Sequence, residues 1–174
     1  MEDPQRMVKM IKEILLEQFN ACYDENVWFV ALKNALEGIT ATEAVWSPKD
    51  SDKNIWKLLT HLNFYNEAWL IRFGGGEFKY PEGMDNDDTF SVSDSPDDAA
   101  LKTELDQMNE VMNGWRTALQ NSDEAKFSRS VSETNESKWF SVISNINTHN
   151  AYHAGQILLL RKLHGTWNAE KGVS

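Results

Sequence analysis

Apolar residues recur at helical spacing in four stretches of this chain, and nowhere with the strict alternation of a half-buried strand. The first stretch runs from about Pro4 to Leu36. Met7, Ile11, Ile14, Cys22, Phe29, Leu32 and Leu36 fall on one stripe, and Leu15, Phe19 and Val30 widen it. Gly38 and the segment from Thr40 to Asp52, which contains Pro48, break the pattern. A second helix is predicted to begin near Ser51 or Asp52, either of which can cap it. Its stripe is Ile55, Leu58, Leu62, Tyr65, Trp69 and Phe73, and Gly74, Gly75 and Gly76 end it. The polar segment from Glu77 to Asp94 is too long for a simple connector. It is expected to cover one end of the helices or to cross between them.

Ser95-Pro96-Asp97-Asp98 opens the third helix, with a capping residue, a first-turn proline and acids near the positive helix end. Its face is Leu101, Leu105, Met108, Met112, Trp115 and Leu119. The polar stretch from Asn121 to Glu136 ends it. The fourth helix is predicted from about Ser137 to His164. It has Trp139, Val142, Ile146, His149, His153, Ile157 and Leu160 on one face, and Gly165 closes it. Four such helices must bury their stripes against one another. The expectation is an all-α four-helix bundle, one domain over residues 1–174, with a long crossover connection between helices two and three.

Composition narrows the function. The chain has 174 residues, enough for one domain with a real core. Hydrophobic residues make up 41% and charged residues 25%, as in ordinary globular proteins. Lys and Arg total 17 against 27 Asp and Glu, for a formal charge of −10. Such a surface repels phosphate backbones and acidic lipid, so neither nucleic acid nor membrane is an expected partner. The single cysteine, Cys22, cannot form an internal disulfide. This suits a reducing cytosol, and Cys22 reads as a small buried apolar residue rather than a reactive thiol. The N-terminal stretch lacks an apolar signal region, and no apolar run approaches the ~20 residues of a spanning helix. A cytoplasmic protein is expected.

The histidines carry the chemical signal. There are four, and three lie on core-facing stripes. His149 and His153 are four residues apart, which on a helix means ~6 Å of rise and ~40° of rotation, so both rings point the same way. His61 sits between Leu58 and Leu62 and projects toward the same interior. One core histidine is commonly satisfied by a hydrogen bond. Three buried imidazoles cost desolvation and repel one another once charged, unless a cation neutralises the site. We therefore read His61, His149 and His153 as ligands of one divalent metal. His164, in the last turn of the fourth helix, reads as structural.

Two short motifs carry a family resemblance. Trp56, Leu59, His61 and Leu62 match a pattern close to W-x-x-L-x-H-L, and His149, His153, Gly155, Gln156 and Ile157 match H-x-x-x-H-x-G-Q-I. The chain resembles the DinB-like superfamily, which includes YfiT-type hydrolases and low-molecular-weight thiol transferases. The resemblance implies a four-helix bundle with a long crossover, often a homodimer, with a three-histidine site for nickel or zinc. Gly155 would let a neighbouring helix approach closely. Gln156 would orient a ligand or a water, or simply bond between helices.

Three protein ligands leave an open position, as in catalytic rather than structural metal sites. An all-nitrogen set favours zinc, nickel, copper or iron(II). Two chemistries follow: attack by a small thiol on an electrophile, or hydrolysis of an ester or amide. A metal- or small-molecule-binding protein without activity is the third. No general acid or base stands in the motifs, whose neighbours are Tyr65, Asn150, Tyr152 and Gln156. Gln18 and Glu25 interrupt the first stripe, and Glu25 is the candidate carboxylate near the metal. The loop aromatics Trp46, Phe78, Tyr80 and Phe90 are candidates to wall a pocket.

Overall fold

The computed structural model describes residues 4–172, with side chains from residue 9 onward. Among these residues six α-helices form: α1 (Pro4–Tyr23), α2 (Leu32–Leu36), α3 (Ala41–Val45), α4 (Ile55–Phe73), α5 (Asp98–Asn121) and α6 (Trp139–His164). Three short 3-10 turns, Asp87–Thr89, Glu124–Ser128 and Ala169–Lys171, lie in the connections. Among the described residues there is no strand, and no helix is long and apolar enough to cross a membrane.

The first predicted helix is in fact three. α1 stops at Tyr23, because the polar run Asp24-Glu25-Asn26 turns the chain. The Asn26 carboxamide oxygen accepts from the Ala31 amide and from Asn34 Nδ2, both at 2.9 Å, and so folds a loop back on itself. Its tip exposes Trp28 almost completely and Phe29 in part. α3 then starts on a capping box in which Thr40 and Glu43 bond each other's backbone. The buried face of α1 is Leu15, Phe19, Cys22 and Tyr23, while Ile14 is exposed. Met7 lies outside the residues whose side chains are described.

The other helices follow their patterns with shifted starts. Asn54, not Ser51 or Asp52, caps α4, accepting from the Lys57 amide at 2.9 Å. Asp97 caps α5, accepting from the Ala100 amide at 2.8 Å. Asp98 accepts instead from the Ala41 amide at 2.7 Å, tying the start of α5 to α3. Gly165 ends α6 in the left-handed conformation, φ 83°, that a side chain would strain.

α4 packs along α5 and α6, and α1 packs along α6 and α5. Their facing stripes share one aromatic core that includes Phe19, Tyr23, Trp56, Phe73, Trp115 and Trp139. The close approach between helices falls at Gly114, where a Cβ would meet Leu70 Cδ2 at 2.8 Å. Gly155 faces open space, so the crowding expected there is absent.

Three polar ties fix the helices relative to one another. Asn66 on α4 and Asn150 on α6 exchange carboxamide hydrogen bonds of 2.8 and 3.0 Å in the buried interior. Trp115 on α5 donates from its indole to the Asn66 carbonyl at 2.9 Å. Arg161 near the end of α6 donates to the Ala35 and Glu37 carbonyls, each at 2.9 Å, and so holds α2. Each bond satisfies a group that would otherwise be buried unpaired, at about 1–3 kcal/mol.

Trp115 combines core volume with one of these ties, whereas Trp28 has neither. Trp115→Ala is expected to lower unfolding free energy by about 3–5 kcal/mol in urea titrations. Trp28→Ala should change it by less than about 0.5 kcal/mol.

Candidate metal centre

His61 projects from the second turn of α4, and His149 and His153 from successive turns of α6. The Nε2 atom of His149 lies 3.0 Å from His61 Nε2 and 3.0 Å from His153 Nε2. One ring nitrogen from each of the three histidines falls within 4.8 Å of the other two. His61 and His153 are buried, and His149 is half-buried at the mouth.

The far side of two rings is already engaged. The Thr89 hydroxyl donates to the Asn86 carbonyl at 2.6 Å, so its oxygen is left to accept from His61 Nδ1, also at 2.6 Å. Gln156 Oε1 accepts from His153 Nδ1 at 2.6 Å, and its Nε2 donates to the Tyr152 hydroxyl at 3.1 Å. Both rings are therefore protonated at Nδ1, and each turns a bare Nε2 lone pair toward His149. Burial, reinforced by the neighbouring rings and by Lys53, pushes His61 down to about 3. Burial and the charge of His153 push His149 down to about 4, and burial lowers His153. All three are neutral near pH 7.

A neutral trio is not self-sufficient. His149 has at most one Nε2 proton, which can satisfy one of the two lone pairs aimed at it. A divalent ion satisfies all three. Nitrogens at ~2.1 Å from a common ion stand roughly 3.0–3.4 Å apart for angles between 90° and tetrahedral. The donor set and the two 3.0 Å spacings to His149 thus fit a divalent transition metal, and these three histidines could hold one.

The surrounding walls come from several elements. The Phe90 ring stacks on His61, with centroids 4.0 Å apart and planes 10° apart, and Lys53 Nζ lies 4.1 Å from the Phe90 centroid. The Tyr65 ring meets His61 edge-on at 4.9 Å, and its hydroxyl donates to the Asn86 side chain at 3.1 Å. In front of the histidines opens a cleft of about 1040 Å³. Leu58, Trp69, Val142, Ile146 and Leu160 give it an apolar floor, and Asn135, Ser137 and Asn145 a polar rim.

The sequence-based expectations meet this geometry unevenly. His61, His149 and His153 come together, with Tyr65 beside them. Gln156 bonds a histidine on its own helix rather than another helix. Glu25 supplies no carboxylate here. It is exposed on the loop after α1, off the cleft wall, because α1 has ended before it. Gln18 is also exposed. Of the loop aromatics, Phe90 walls the cleft. Phe78 and Tyr80 pack on Phe64, and Trp46 packs on His164. Cys22 donates its thiol to the Asn147 carbonyl at 3.2 Å, and burial pushes it up to about 11.

Thr89 was not legible as a site residue. The only hint is its segment, Asp85-Asn86-Asp87-Asp88. There the Asp85 carboxylate accepts from the Asp87 and Asp88 amides and rigidifies the turn that presents Thr89.

The model of one protein family, described as the DinB superfamily, matches residues 24–157. The chain belongs to that superfamily. No curated protein and no solved structure matches it. In this DinB-superfamily protein the matched span holds all three histidines, together with Thr89 and Gln156, while α1 precedes it.

Two expectations follow. In the metal-free protein, the unfolded chain takes up a proton at His61 near pH 6.5, whereas the folded one resists down to about pH 3. Stability is thus full above pH 6.5 and falls as the pH drops below it. Urea unfolding at pH 5 should show a loss on the order of 2 kcal/mol from His61 alone, and His149→Ala should flatten the slope. Thr89→Val keeps the volume but removes the acceptor that orients His61. Titration with zinc should give an affinity about 10–100-fold weaker than that of the unchanged protein.

Proposed function

We propose that this protein binds one divalent transition-metal ion, nickel or zinc, through His61, His149 and His153, and transfers a low-molecular-weight thiol to electrophilic small molecules. The observation that carries the reading is the pair of Nε2 lone pairs directed at one point with too few protons between them. Family membership supports it, because the same three residues stand in the two motifs of the superfamily resemblance.

A bound ion supplies a Lewis acid that lowers the pKa of a thiol or water set against it. The remaining contributions belong to the chain. Thr89 and Gln156 keep Nδ1 of His61 and His153 protonated, so Nε2 stays available as a donor. Phe90 and Tyr65 fix the His61 ring and keep water from its sides. The apolar floor from Leu58 to Leu160 favours an uncharged electrophile, and the polar rim binds its solvent-facing end. Thiol transfer suits this wall because a thiol that ionises readily needs no separate base.

Hydrolysis is the second reading, and one observation favours it. Asp87 is the only carboxylate on the cleft wall among the described residues, two residues before Thr89. It would take the proton from an attacking water. A protein that binds metal and small molecules without turning them over is the third reading.

The wider setting is proposed with the site. α1, α4, α5 and α6 form a four-helix bundle within one domain, and the segment between α4 and α5 crosses over. Tyr152, Leu159 and Leu163 make an exposed apolar stripe on α6 beside the cleft, which favours a homodimer. A cytoplasmic location accords with the lone buried thiol.

Metal analysis of the purified protein should give about one nickel or zinc per chain, and none in His149→Ala. The loaded protein should consume a chromogenic electrophile only with a small thiol, and should leave ester substrates intact. Ester cleavage without thiol would replace transfer with hydrolysis. Unchanged metal content in His149→Ala would end both readings.

A further inference from the structure

Beyond the histidine site, Arg72 stands near the end of α4 in unusual company. In a chain with 27 acidic residues, arginines are expected to find carboxylates. Arg116, Arg129 and Arg161 do, pairing with Asp24, Asp123 and Glu43. Arg72 has no carboxylate partner among the described residues.

Aromatic rings hold it instead. Its guanidinium carbon lies 5.0 Å from the Trp69 ring, 4.9 Å from Tyr80 and 5.7 Å from Phe78. It donates to the Tyr80 hydroxyl at 3.2 Å and the Phe78 carbonyl at 3.3 Å. A guanidinium has five N–H donors in a rigid fork, so three remain after these two bonds. Ring contacts fix its orientation without neutralising it.

Arg72 lines a groove of about 600 Å³. Trp69 and Asn135 line both this groove and the histidine cleft, so the two adjoin at these side chains. One carboxylate, Glu77, also lines the groove, and it pairs with Lys79 at 3.9 Å. Arg72 follows His61 by eleven residues, which on a helix is ~16 Å of rise and only ~20° of rotation. Both side chains therefore rise from the same face of α4, three turns apart.

The geometry points to a second binding site at Arg72, which takes the carboxylate end of an elongated thiol whose sulfur lies at the histidines. The guanidinium fork receives the carboxylate bidentately, and Trp69 lies under the connecting chain. The sulfur end rests on the function proposed above, whereas the carboxylate end stands without it.

The probes are 11-mercaptoundecanoic acid, whose extended length approaches that separation, and the neutral 11-mercaptoundecanol. Calorimetric titration of the zinc-loaded protein should show the acid binding at least about tenfold more tightly. R72Q should abolish this advantage. H149A should weaken both probes while leaving their ratio unchanged. If H149A alters neither affinity but R72Q still removes the advantage, the carboxylate site stands and the thiol reading fails. Equal binding of acid and alcohol, absence of binding by both, or an advantage that survives R72Q overturns the proposal.

Discussion

The buried carboxamide pair of Asn66 and Asn150 sets how α4 lies against α6, and the histidine site inherits that register. Asn150 follows His149 directly, and Asn66 lies five residues beyond His61. A slip of one residue along either helix would rotate a side chain by ~100° and strand two polar groups in the core. The pair therefore accepts one alignment, and in that alignment three Nε2 atoms meet. Trp115 extends the constraint to α5 by donating to the Asn66 carbonyl.

With the helices fixed, the site's electrostatics follow from burial. Water is scarce around His61 and His153, so their charged forms are disfavoured and the rings remain neutral. Their Nδ1 protons need acceptors, and Thr89 and Gln156 provide them. The two acceptors differ in origin. Gln156 is on the same helix as its histidine, while Thr89 arrives from a loop 28 residues further along. The loop between α4 and α5 is thus part of the site, since it also brings Phe90 against the His61 ring.

Much of this was readable in advance, for definite reasons. Helical periodicity located α4, α5 and α6 because one face of each is buried along its whole length. The meeting of His149 and His153 was readable because i,i+4 spacing places them on one face whatever surrounds them, and His61 because it lies on the core stripe of α4. The same reasoning failed at the first stretch. Phe29, Leu32 and Leu36 continue the apolar period of α1, yet Asn26 bonds two groups of its own loop and the chain turns. Glu25 was misplaced with it, because its assignment assumed an unbroken helix. The cap of α4 was read too early, since Ser51, Asp52 and Asn54 can each cap, and Asn54 is the one that accepts from the amide of Lys57.

Spacing along a helix and motifs a few residues long were enough to read the helical class, the family and the three histidines that meet. Tertiary structure alone decided the rest. That Thr89 faces the His61 imidazole, that Phe90 stacks on it, and that α6 brings His149 and His153 to the same point are contacts between segments distant in the chain. No local pattern encodes them. They exist only once the helices have packed and the loop from Glu77 to Asp94 has found its place across them.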